Sequence, residues 1–275
     1  MTILIGADPE VFAKKKGVYV SAHNMVPGTK ENPHPVDNGA VQVDGMALEF
    51  NIHPAGSRQE FVHNMGSVMK QLKAMCPGYR LVADPVAEFG KAYMDEQPEE
   101  AKELGCDPDY NAWRMGRENP RPDGDADFRT GAGHIHIGLW SPDIVVKNHY
   151  HIAIELVKQL DFYLGLPSLV YDKDTRRREL YGAAGAYRIK PYGVEYRVLS
   201  NKWVSSVRLQ RWVYDNTLDA IANLKMGNNL AERYGSVQQM INRSDTRAAA
   251  RVVKQYKIKP APLPLVKKRR AKRVG

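Results

Sequence analysis

Cysteine is scarce in this chain. The two present, Cys76 and Cys106, form neither a metal-binding spacing nor a disulfide framework, which suits a reducing compartment. No apolar run approaches the ~20 residues of a membrane span. Residues 1–6 lack the basic and long apolar regions of a secretory leader. The expectation is a cytoplasmic protein with no membrane partner. There is no G-x-x-x-x-G-K-[ST] and no well-placed G-x-G-x-x-G, which argues against a P-loop or a dinucleotide-binding crossover. H-E-x-x-H and G-x-S-x-G are missing too, as is any internal repeat. Asp123-Gly-Asp-Ala-Asp127 opens like a calcium loop but lacks its later glycine and glutamate.

Acidic residues are missing from one region in particular. Between Lys254 and Gly275 there is none, whereas nine lysines and arginines lie there. They equal the whole formal excess of +9, so the chain before them is neutral overall. Pro260, Pro262 and Pro264 oppose helix in this stretch. We read 254–275 as a basic tail attached to a single domain, 1–253. Two readings stand: contact with nucleic acid or another polyanion, or a solubilising end. The lack of an aromatic after Tyr256 removes base stacking as a contribution.

Residues 3–11 form a strand candidate carrying Asp8 and Glu10 on one face. Pro9 between them has no N–H to give a ladder, so an edge, strand end or bulge is expected there. Residues 18–20 read as its hairpin partner. Residues 41–52 read as a second hairpin turning at Asp44-Gly45, with Leu48, Phe50 and Ile52 core-facing and Glu49 and Asn51 on the other face. Asp44 is either a turn residue or a further ligand. Ser57-Arg-Gln-Glu60 has capping-box spacing and opens a helix that Pro77-Gly78 stops. The polar segment 88–129 is expected to be a long loop or lid with short helices.

Thr130-Gly-Ala-Gly-His-Ile-His-Ile-Gly138 is a glycine-rich approach to a strand. His134 and His136 fall on one face, Ile135 and Ile137 on the other. A wet sheet face is one reading; a cavity lined by imidazoles, with Gly131 and Gly133 close to what they hold, is the other. Ser141-Pro142 is expected to start a helix reaching about Leu164. Residues 181–188 form a second glycine-rich approach. Residues 194–198 form a strand with Glu195 and Arg197 on one face, and 206–226 and 230–241 read as helices.

Four segments thus place polar pairs on one strand face: Asp8/Glu10, Glu49/Asn51, His134/His136 and Glu195/Arg197. Clustered carboxylates repel unless a cation compensates. Several carboxylate oxygens with one or two imidazoles favour Mg²⁺ or Mn²⁺ over zinc. Arg188, Arg197 and the cluster Arg176-Arg177-Arg178 add forks suited to phosphate oxygens. Together these are the equipment of phosphoryl transfer.

The succession Gly6-Ala-Asp8-Pro-Glu10, Asp44 to Asn51, Gly131-Ala-Gly-His134-Ile-His136 and Arg188 to Arg197 resembles the glutamine synthetase and glutamate–cysteine ligase superfamily, more narrowly its phage carboxylate–amine ligases (amidoligases), over residues 3–201. The resemblance implies an α+β fold whose curved, mainly antiparallel sheet forms a funnel with helices on its outer face. It implies ATP held through Mg²⁺ or Mn²⁺, phosphorylation of a small-molecule or peptide carboxylate, and displacement of phosphate by an amine donor. It also implies Asp8, Glu10, Glu49, His134 and Glu195 as metal ligands, His136 beside the nucleotide, and Arg188 and Arg197 as phosphate-side catalytic cations with Glu195. Two alternatives are a guanidino phosphotransferase of the same fold family and a nucleic-acid-binding or structural phage protein.

Overall fold

The computed structural model describes residues 3–102, 109–120, 126–143 and 146–263. The basic cluster 267–273 and most of the rejected calcium-loop motif lie outside them.

The strands, in chain order, are β1 (Leu4–Lys15), β2 (Val18–Val20), β3 (His34–Val36), β4 (Gly39–Asp44), β5 (Ala47–Ile52), β6 (Arg80–Val82), β7 (Val86–Glu88), β8 (Tyr110–Asn111), β9 (Arg117–Glu118), β10 (Phe128–Thr130), β11 (Gly133–Gly138), β12 (Ala186–Lys190) and β13 (Gly193–Tyr196). Eleven of them join one sheet in the order β3-β4-β5-β1-β11-β13-β12-β8-β9, with β2 and β6 also pairing with β1. β7 and β10 form a separate two-stranded ladder. Every pairing is antiparallel.

The mixed α+β character and the antiparallel sheet match expectation. The funnel does not. β3 and β9 stand at opposite ends of the strand order and do not pair with each other, so the sheet is open rather than closed or curled on itself.

β1 is the central strand, and Pro9 sits inside it. Glu10 N–H donates to Ala132 O on the β11 side, and Ile5 N–H donates to Ala55 O on the β5 side. By alternation, the nitrogen of Pro9 faces β5. β1 pairs with β5 only through Glu10 and Val11, and the Ile5–Ala55 bridge lies beyond the gap. A residue without an N–H therefore falls in an interval with no ladder bond to lose. β1 and β5 part there, and a cavity of about 670 Å³ opens beside Gly6, Asp8, Glu49 and Asn51.

The principal helices are α1 (Arg58–Met75), α2 (Lys91–Asp95), α3 (Glu99–Lys102), α4 (His149–Leu160), α5 (Leu166–Ser168), α6 (Arg177–Leu180), α7 (Val207–Lys225), α8 (Leu230–Tyr234), α9 (Gln238–Asn242) and α10 (Thr246–Gln255). Ser57 caps α1 by accepting from Glu60 N–H. α1 packs on β4 and β5, α4 on β12 and β13, and α7 on both helices. Phe61, Leu72, Leu160 and Trp203 share one core with Phe50, Ile135 and Ile137.

Two helix expectations need correction. Ser141-Pro142 does not start α4; the helix begins at His149, after Asn148 in a left-handed conformation (φ 68°). It then runs through a π-helical turn, Asp161–Gly165, into α5. Residues 230–241 are two short helices, because Gly235 (φ 94°) ends the first. No helix among the described residues is long and apolar enough to cross a membrane.

Candidate active site

The alternation read in the sequence holds in space. Ile135 and Ile137 are fully buried in the core, while His134 and His136 project from the opposite face. Strand register places their neighbours. Asp8 of β1 lies opposite His134 of β11, and His136 lies opposite Glu195 of β13. Arg188 of β12 lies on the far side of Glu195, and Glu49 of β5 lies opposite Glu10.

Two clusters result. Asp8, His134 and Glu195 each present a ligand atom, and the three atoms lie within 4.8 Å of one another. Glu10, Asp44 and Glu49 do the same. Asp44, left open between turn and ligand, therefore belongs with the carboxylates. Both clusters line a cavity of about 310 Å³ together with Lys30, Arg129, Arg188, Lys190 and Arg197. Asp8 and Glu49 also border the larger cavity opened at Pro9, which His136, Trp140 and Tyr192 line.

The first cluster is densely connected. His134 Nδ1 is 3.4 Å from Asp8 Oδ1 and 3.4 Å from Glu195 Oε1. His136 Nε2 is 2.9 Å from Asp8 Oδ2, and its Nδ1 is 2.6 Å from the Tyr192 hydroxyl. Arg197 donates to Glu195 and lies 3.2 Å from His134 Nδ1. Lys190 Nζ is 2.9 Å from Glu195 Oε2. Burial opposes ionisation of Asp8, yet His136 and His134 hold its carboxyl well below the usual range. Burial and Asp8 also press Glu195 upward, but Arg197 and the two histidines bring it to about 2. Burial, with Arg197, pushes the His134 imidazole down, so it stays neutral. His136 is raised by Asp8 against the effect of burial. Two firmly ionised carboxylates and a neutral imidazole form a set of cation ligands already in their binding state.

The second cluster is the opposite case. Burial and the Asp44 charge lift Glu10 to about 7. Burial and three neighbouring carboxylates lift Glu49 well above its usual range. Ala132 N–H donates to Glu10 Oε2 at 2.8 Å, and this bond, with the charges of Arg177 and Arg197, only partly offsets the upward push on Glu10. This buried site of acidic and histidine residues can coordinate a metal ion, and its oxygen-rich donors are of the kind Mg²⁺ and Mn²⁺ take.

Gly131 and Gly133 sit where the backbone has no room for a Cβ. A Cβ on Gly131 would lie 2.2 Å from Asn201 Nδ2, and one on Gly133 2.4 Å from Ser200 O. Both glycines approach the segment after β13 closely. The arginine cluster differs from expectation. Arg177 is buried and donates to the carbonyls of Gly131, Val198 and Leu199. Arg178 donates to Asp174 O and Ser244 Oγ, and Arg176 pairs with Glu88 and Asp174. Arg177 thus braces the two glycine-rich and strand-end segments, and the cluster offers no fork to the cavity.

Three site residues escaped the sequence reading. Lys190 shares the face of Arg188 at i, i+2, a signal that was available. Tyr192 is fixed by the turn between β12 and β13 and had no local signal. Asp109, an isolated acid in a polar segment, had none either, yet it is buried and accepts from Arg197 Nε.

Residues 124–255 match a family described as phage phiEco32-like COOH.NH2 ligase-type 2. That span contains His134, His136, Arg188, Glu195 and Arg197; Asp8, Glu10 and Glu49 precede it. No curated protein matches the chain. Among solved structures, a bifunctional glutathione synthetase from Pasteurella multocida is similar at 9% identity and a TM-score of 0.39, over 93% of this chain and 52% of that one. The chain therefore spans about half the length of that protein, and a likeness of this degree transfers neither fold nor activity.

Proposed function

We propose that the protein is an ATP-dependent carboxylate–amine ligase that forms an amide, peptide-like or isopeptide, through an acyl phosphate. The observation that carries this reading is the pair of ligand clusters on one sheet face, flanked by Arg188, Lys190 and Arg197. It is supported by the COOH.NH2 ligase match over 124–255.

Asp8, His134 and Glu195 would hold one Mg²⁺ or Mn²⁺ ion, and Glu10, Asp44 and Glu49 another. Such ions supply charge neutralisation to phosphate oxygens. The chain's own residues do the rest. His136, tied to Asp8 and Tyr192, faces the larger cavity and is assigned to the nucleotide. Arg197 and Arg188 are aimed at the charge that develops on the transferring phosphoryl group.

A carboxylate is a poor electrophile, because its charge repels the amine and oxide is a poor leaving group. Transfer of a phosphoryl group to its oxygen turns that oxygen into phosphate, which the amine expels. ATP, carboxylate and the ammonium form of the amine become ADP, hydrogen phosphate and amide, with one proton released. The segment 88–129 is proposed to keep water from the acyl phosphate. The basic tail is proposed to contact a polyanion.

The test is a screen of amino donors and carboxylates for ADP release with Mg²⁺. ADP and phosphate formed in step with an amide support the ligase. A stable phosphoguanidine instead identifies the phosphotransferase, and AMP with pyrophosphate identifies adenylation. Failure of the full chain to bind nucleotide with Mg²⁺ leaves only the structural or nucleic-acid-binding alternative.

A further inference from the structure

We propose that Asp109 is a positioning residue that fixes the direction of the Arg197 guanidinium toward the Asp8–His134–Glu195 cluster. The inference rests on the ligase reading for its catalytic consequence, but its structural half stands on geometry alone.

Asp109 is 8% exposed, and a buried carboxylate is stable only when paired. Its Oδ1 accepts from Arg197 Nε and lies 3.9 Å from Arg188 Nε. At the other end of the same guanidinium, Nη1 donates to Glu195 Oε1 and lies 3.2 Å from His134 Nδ1. A guanidinium is rigid and planar. One anion holding Nε and another holding Nη1 leave the plane no freedom to rotate. With Glu195 alone, the fork could turn about that single contact.

Asp109 is itself held in place. Asn119 N–H donates to Asp109 O at 2.8 Å. Tyr110 and Asn111, directly after it, pair with Tyr187 and Ala186 of β12, next to Arg188. Asn111 Nδ2 donates to Asn119 Oδ1 and to Ala184 O. The small β8–β9 hairpin is thus pinned to the sheet edge, and it carries one carboxylate inward to the arginine. The hairpin therefore reaches the candidate active site through this side chain. If Asp109 served only to balance charge, any arrangement neutralising Arg197 would do, and Glu195 already provides one.

The experiment compares the full chain with Asp109→Asn, Asp109→Glu, Arg197→Gln and the double variant Asp109→Asn/Arg197→Gln. One readout is the ¹⁵N side-chain spectrum of Arg197. Its Nε–H should be slow to exchange in the wild type and in Asp109→Glu, and exchange-broadened in Asp109→Asn. The second readout is cleavage of MgATP to ADP. Asp109→Asn should lower kcat by roughly thirtyfold with KM for ATP changed less than about threefold, and Asp109→Glu should recover much of it. In the Arg197→Gln background, Asp109→Asn should cost nothing further, since contacting residues couple and independent ones add. An unperturbed Nε–H in Asp109→Asn, or an undiminished effect of Asp109→Asn in the Arg197→Gln background, would overturn the proposal. A wild type that neither binds nor cleaves ATP would sink the ligase reading, while the Nε–H spectrum would still decide whether Asp109 positions Arg197.

Discussion

Glu10 of β1 and Glu49 of β5 face each other directly across an antiparallel ladder, and both carboxyls are pushed upward by burial and by neighbouring acids. Like charges opposed on adjacent strands destabilise a sheet. On the proposed metal-binding reading, retaining them sacrifices stability for a cation site. Glu49→Gln is expected to raise Tm by a few degrees in EDTA at pH 8, where the wild-type repulsion is greatest. Saturating Mn²⁺ should reverse the order, because the wild type gains RT ln(1 + [L]/Kd) and the variant gains less. Scanning calorimetry with and without Mn²⁺ reads both. A Tm difference that ignores the metal would place the ion elsewhere.

Arg197 is joined to Glu195, Asp109 and His134, so it is held in place before any substrate arrives. Its contact with a phosphoryl group is expected to strengthen as that group transfers. Arg197→Ala should therefore lower kcat by about 10²–10³-fold, with a much smaller change in ATP affinity. Steady-state kinetics beside calorimetric ATP titration separates the two. A loss confined to affinity would make Arg197 a ground-state binding residue.

Asp161 offers a pH test remote from the cavity. It is fully buried in the π-helical turn and accepts from Trp113 Nε1 at 2.6 Å and Tyr196 Oη at 2.7 Å. Burial outweighs these donors and raises its carboxyl to about 7. Its folded pKa lies above its unfolded one. Its contribution is therefore fully present below the usual carboxylate range and is lost as pH rises toward about 7. The loss could reach on the order of 4 kcal/mol at ~1.4 kcal/mol per pH unit. Between pH 4 and 7, urea unfolding should show a less negative stability slope for Asp161→Asn than for the wild type. Parallel slopes would show that Asp161 ionises normally.

What the sequence made legible, and what it hid, follows from how each residue acts. Asp8, Glu10, Glu49, His134, Glu195 and Arg197 were readable because strand alternation converts i, i+2 spacing into a shared face. Ile135 and Ile137 confirmed that face by being apolar. Arg176, Arg177 and Arg178 read as phosphate forks because charge alone does not tell a cavity from a bundle of backbone carbonyls. Only tertiary folding brings Gly131, Val198 and Leu199 around Arg177. The N-cap and N1-proline preference misled at Ser141-Pro142, where a left-handed Asn148 delays the helix. The funnel failed because strand order, not strand number, decides whether β3 and β9 meet. Asp109 carried no local pattern at all.

The basic C-terminal region offers a test in solution. Arg247, Arg251 and Lys254 lie on the exposed side of α10, while Ala248, Ala249 and Val252 are buried. If this face and the stretch 267–273 contact nucleic acid, affinity for duplex DNA should fall steeply with salt. Deleting residues 261–275 should flatten that dependence and leave ATP cleavage unchanged. Equal affinity and equal salt slope in the truncated protein would remove the polyanion proposal.

Oxygen transfer from the carboxylate to phosphate is the most direct test of the ligase chemistry. Incubation of the protein with Mg²⁺, ATP, an amine and an acid substrate labelled with ¹⁸O in its carboxyl group should give inorganic phosphate containing one labelled oxygen for each amide formed. Amide that accumulates while the phosphate stays unlabelled would contradict the acyl-phosphate route.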